Sequence, residues 1–93
     1  MGRCSIEKLG DIHTALQEIR KWPWIIEPKP GIFYLKRDPF LHFHETGLLR
    51  WADLKVEGEF QPVDLPYGLT AKQAAFFLRT VERQYKVMTE SCR

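Results

Sequence analysis

Three aromatic-rich segments separated by turn-sized gaps restrict this chain more than anything else in it. They are GIFYLK (Gly31 to Lys36), PFLHFHE (Pro39 to Glu45) and LLRWADLKVE (Leu48 to Glu57). Parallel neighbours need a crossover of a dozen or more residues, and the gaps here hold two, Arg37-Asp38 and Thr46-Gly47. The segments therefore predict antiparallel hairpins, with Gly47 available for a positive φ. FQPVDL (Phe60 to Leu65) follows Gly58-Glu59 as a fourth, weaker strand. Its Pro62 has no N–H to give a ladder, which places it on an edge.

Helical periodicity flanks the meander. Ile6, Leu9, Ile12, Leu16 and Ile19 recur every three or four residues behind Ser5, a candidate N-cap. His13 lies at the edge of that stripe. Near the other end, Thr70 and Gln73 have capping-box spacing. Ala74, Phe77, Leu78, Val81, Tyr85 and Met88 then form one apolar face. Between the first helix and the strands lies KWPWIIEPKPG, kept extended by Pro23, Pro28 and Pro30. Its Trp22, Trp24, Ile25 and Ile26 need burial, so it reads as an ordered connector packed on the domain.

The expected architecture is a single α+β domain over residues 1–93, α-β-β-β-(β)-α in order. An antiparallel meander of three or four strands carries both helices on one face. The expected spans are a helix over about 5–20, a connector over 21–30, the sheet over about 31–65 and a helix over about 70–89.

Alternation along strands sorts the side chains into two faces. One carries Ile32, Tyr34, Leu41, Phe43, Ala52, Leu54, Val56, Val63 and Leu65, with Lys36, Glu45 and Arg50 near strand ends, and suits helix packing. The other carries Phe33, Leu35, Phe40, His42, His44, Leu49, Trp51, Asp53, Lys55 and Asp64, neither a clean core nor a clean solvent surface. Such a patch exceeds what monomers usually expose. A short chain often completes its core by pairing with a second copy. The expected working surface is Phe33, Phe40, His42, His44 and Trp51, used by a non-catalytic, self-associating homodimeric module or to meet another protein.

Two alternatives compete for that face. His42 and His44 point the same way, roughly 6.5–7 Å apart at strand rise, and such a pair can hold zinc or iron. Glu45 points to the opposite face, so a third ligand would be Asp53 from the neighbouring strand. The more economical reading is strand histidines stacking on aromatics, with no cofactor. The second alternative is single-stranded nucleic acid stacking on the aromatic face beside Lys36, Arg37, Arg50 and Lys55, with Lys72, Arg79, Arg83 and Lys86 from the last helix. Acidic residues on the sheet and a net charge of only +2 weigh against it.

No Gly-rich phosphate loop, HExxH, GxSxG or paired-carboxylate motif is present, so no enzyme is expected. No segment approaches the ~20 apolar residues of a membrane span, and MGRCSIEKLGD has charge where a signal core would stand. A cytoplasmic protein with reduced thiols is the expectation. Cys4 and Cys92 would approach each other only if the two helices run antiparallel.

Overall fold

The computed structural model describes residues 2–4 and 6–90. A short strand β1 (Gly2–Arg3) precedes a 3₁₀ segment (Ile6–Ile12) and helix α1 (His13–Arg20). Strands β2 (Ile25–Lys29), β3 (Ile32–Leu35), β4 (Asp38–Thr46), β5 (Leu49–Val56) and β6 (Glu59–Asp64) follow, and helix α2 (Ala71–Glu90) closes the chain. The sheet runs β2-β3-β4-β5-β6, antiparallel throughout, with β1 paired to the far end of β4. This is the expected α+β order with one strand more in the meander. Pro62 lies on the edge strand, where its missing donor costs nothing.

The connector supplies the extra strand. Ile25 pairs with Leu35 and Ile26 with Tyr34, so residues 25–29 extend the sheet rather than drape across it. Tyr85 fixes its approach by donating its hydroxyl to Pro23 O at 2.7 Å while its ring packs on Trp22 at 4.8 Å. Arg20 holds Glu27 by two hydrogen bonds of 2.7 and 3.1 Å, and Glu27 accepts the Gly31 N–H at 2.8 Å. Gly31 turns the chain at φ 80°, where a Cβ would be strained.

The first helix is two pieces. Leu9 and Ile12 are three residues apart, as a 3₁₀ stripe requires, and the chain breaks helical geometry at Leu9 before the weak helix former Gly10. From Ile12 onward the buried positions Leu16 and Ile19 follow α spacing. Ser5, the expected cap, and Cys92, which would approach Cys4 only across antiparallel helices, lie outside the described residues. The capping box of α2 forms as the spacing requires. Gln73 N donates to Thr70 Oγ1 at 3.1 Å, and Thr70 N donates to Gln73 Oε1 at 2.9 Å.

Both helices cover one face of the sheet, where Leu16, Ile19, Phe77 and Val81 join Phe33, Phe40, Phe43 and Leu54 in one core. Among the described residues no helix is long and apolar enough to cross a membrane.

The two-face assignment needs one correction. The β3–β4 turn is Lys36-Arg37, both at positive φ (52° and 77°), in place of Arg37-Asp38. That move shifts the register by two and leaves the faces alone. The decisive feature is a bulge: Tyr34 pairs with Pro39 but Phe33 pairs with Leu41, so Phe40 and Leu41 together oppose one residue. An extra residue reverses the parity of everything beyond it. Phe33, Leu35, Phe40 and Leu41 all turn into the core, each at most 2% exposed. Phe33 and Phe40 are thus core residues, and the outer face receives Ile32 and Tyr34 instead.

Candidate functional site

The bare face of the sheet is built from alternate residues of β3 to β6. Tyr34 comes from β3, His42 and His44 from β4, Trp51, Asp53 and Lys55 from β5, and Phe60 from β6. The β4–β5 ladder fixes the centre: six consecutive pairs run without a break, His42 opposite Asp53 and His44 opposite Trp51. The bulge touches this stretch only at Leu41, its first residue.

Side chains on this face hold one another in place. The His44 ring stacks on Trp51 at 5.5 Å between centroids. His42 meets Phe60 edge-on at 4.5 Å, and Lys55 lies 5.0 Å over the same phenyl ring. Between the two histidines the separation is 2.8 Å, from His42 Nδ1 to His44 Nε2. Asp53 Oδ2 stands 3.1 Å from His44 Nε2 and 3.9 Å from His42 Nδ1. The shorter contact is therefore the diagonal one, while the directly opposed pair is longer. Each of these three side chains retains only about a fifth of its exposure (21%, 18% and 21%). Beside them an open recess of about 230 Å³ is walled by Ile32, Tyr34, Pro39 and Phe60.

The sequence places His42, His44 and Asp53 on one face, and the structure brings those three together. Trp51 is also where it was expected. Tyr34 and Phe60 were missed as members of this surface. The signal for Tyr34 lay in Phe40-Leu41, two consecutive large apolar residues where a half-buried strand should alternate. Glu45 points away, as alternation requires, and accepts from Lys8 Nζ at 2.7 Å and from the Tyr67 hydroxyl at 3.2 Å.

Of the cationic residues expected here, Lys55 lies on this face and the others do not converge on it. Lys72, Arg79, Arg83 and Lys86 belong to α2, in the layer covering the opposite side of the sheet. Lys86 also stands 3.9 Å from Glu82, one helical turn away. Lys36 and Arg37 form the β3–β4 turn, with the Lys36 ammonium 4.8 Å over the Trp24 ring. Arg50 is wholly withdrawn from solvent, its side chain paired with Asp11 beneath the Tyr67 ring.

Cys4 is buried and its thiol is pushed up to about 11, first by burial and then by its contact with Glu45. A thiol so held is protonated at neutral pH and is no nucleophile. Comparison with protein-family models, with curated proteins and with solved structures finds no match to this chain.

Proposed function

We propose that this chain is a small non-catalytic interaction module that self-associates through the outer face of its sheet. One observation carries the reading. The helices cover a single face, and the other presents Tyr34, His44, Trp51 and Phe60 between charges of both signs.

A two-fold interface sets a patch against its own copy, so the patch must be self-complementary. Lys55, on the same face as Asp53 and Asp64, meets that requirement, whereas a patch of one sign would repel itself. The apolar surface continues past Trp51 to Leu48 and Leu49, 92% and 67% exposed, and across β2 to Ile26, 53% exposed. Five strands at ~4.8 Å spacing make a face roughly 20 Å across, enough for an interface at the small end of the specific range. Rigid aromatic anchors in the middle and charges at the margin are the usual anatomy of such contacts.

The same acidic groups disfavour a nucleic-acid partner. Asp53 and Asp64 would face phosphate, and the cations of α2 stand in the other layer.

Light scattering on untagged protein tests the proposal. The parent chain is expected as a dimer and Trp51→Glu as a folded monomer, with circular dichroism confirming the fold. A monomeric parent, or a Trp51→Glu variant that stays dimeric, overturns this interface. If the parent is monomeric and instead binds a generic single strand in a salt-sensitive way, the nucleic-acid reading replaces it.

A further inference from the structure

We propose that His42, His44 and Asp53 form a binding site for a divalent transition-metal ion of the zinc class. This goes beyond self-association and stands independently of it. Three donor atoms, His42 Nδ1, His44 Nε2 and Asp53 Oδ2, converge from the neighbouring strands β4 and β5. Two imidazole nitrogens and a carboxylate oxygen are the borderline donors that zinc and its neighbours in the first row prefer.

The spacing fits. With bonds of 2.0–2.1 Å, the ligand atoms of a tetrahedral zinc stand about 3.3 Å apart. The three separations here, 2.8, 3.1 and 3.9 Å, straddle that value. Bringing them to one value asks for side-chain rotation of the two rings and the carboxylate, on backbone positions that the unbroken part of the ladder holds.

Hydrogen bonding alone accounts for the cluster less well. His44 Nε2 has close neighbours in two directions, His42 Nδ1 and Asp53 Oδ2. A proton on His44 Nε2 serves one of those lines at full strength and only weakly the other. With the proton on His42 Nδ1 instead, the His44 lone pair faces a carboxylate oxygen. A cation reconciles the arrangement, since all three atoms then offer lone pairs to one centre and none needs the shared proton.

The surroundings suit a bound ion. Trp51 and Phe60 pack on the two imidazoles, fixing their planes and lowering the local dielectric. The recess beside His42 and His44, open towards Tyr34, leaves room for water at the remaining coordination position. Glu45 cannot contribute, because it lies on the helix side of the sheet and is held by Lys8.

The experiment is a calorimetric titration of chelator-stripped, untagged protein with Zn²⁺ alone, repeated with Co²⁺ to read its visible d–d bands. The expected result is one ion per chain with a Kd of about 1 µM or tighter. Asp53→Asn and His44→Gln should each weaken binding at least about tenfold and remove the Co²⁺ bands. His13→Gln, on an exposed position of α1, should change nothing. Thermal unfolding of each metal-free variant confirms that it is folded, and Asp53→Asn, nearly isosteric, keeps the test open should His44→Gln unfold. Well under one equivalent bound, no rise in melting temperature with Zn²⁺, or undiminished affinity in folded Asp53→Asn overturns the assignment.

Discussion

Arg50 and Asp11 stand 39 positions apart and meet in a two-point ion pair, Nη1 to Oδ1 at 2.9 Å and Nη2 to Oδ2 at 2.7 Å. Every N–H of the guanidinium is used. Nε donates to Leu65 O, Nη1 also to Lys8 O and Nη2 also to Pro66 O. Asp11 in turn accepts the Leu69 N–H at 2.9 Å. One buried cation thus ties the first helical segment, β5 and the loop into α2 together, satisfying carbonyls that the irregular β6–α2 connection would leave without partners.

Removing one half of this pair should be costly, because the other half is then buried without its counter-charge. Asp11→Asn is expected to lose about 3 kcal/mol of stability, read as a fall in the urea midpoint at unchanged slope. The acid limb should change too. Hydrogen bonds from Arg50 hold the Asp11 carboxyl down at about 2, below its usual 3.8. A depressed folded-state value contributes stability that is complete above the unfolded value and is lost as pH falls from about 4 towards 2. Asp11→Asn should flatten the stability profile in that window.

Most of the architecture was legible in the residues because it rests on local signals. Two-residue gaps force hairpins, Pro62 forces an edge, and Thr70 with Gln73 marks where α2 begins. The metal-type cluster was legible in part for the same reason: His42 and His44 share a face by alternation alone. What escaped was long-range. A bulge at Phe40-Leu41 depends on how Phe33 packs against both residues, and it reversed the face of β3. Pairing of the proline-rich connector with β3 depends on an edge that exists only after the hairpin forms. Arg50 looked like a strand-end surface cation because its partner, Asp11, lies on another element.

The bulge makes a sharp expectation about two positions on neighbouring strands, Tyr34 and Phe40. Phe40 is fully buried, and its truncation to alanine should cost about 3–4 kcal/mol. Tyr34, on the outer face, is only partly buried, and Tyr34→Ala should cost about 1 kcal/mol or less in the monomer. Strict alternation without the bulge would put Tyr34 in the core and Phe40 outside it, so the two costs would exchange. Chemical denaturation of the two variants at low protein concentration distinguishes the cases.

The capping box at Thr70 offers a smaller and cleaner measurement. Thr70→Ala removes the acceptor for the Gln73 N–H while the Thr70 side chain is itself exposed, so little packing changes with it. A loss of about 1 kcal/mol is expected. The double substitution with Gln73→Ala should cost little beyond the sum of the single effects, since each side chain serves the other residue's backbone N–H. A double-mutant cycle by thermal unfolding reads both numbers.

Cys4 yields the last expectation, and it concerns rate as much as stability. Its thiol, 4% exposed, titrates at about 11 against the ordinary 9.0. Only thiolate reacts with alkylating agents, so at pH 8 the folded chain holds roughly 100-fold less of the reactive form than an unfolded one. In a Cys92→Ser background, alkylation of the native protein should therefore be at least that much slower than in denaturant, with burial slowing it further. The linked stability has the opposite sense to that of Asp11. Here the folded state keeps a proton that the unfolded state releases, so stability should decline as pH rises from about 9 towards 11. Substituting Cys4→Ala should shrink that decline, leaving the share that comes from the Tyr67 and Tyr85 hydroxyls, both held above their usual 10.0 by burial.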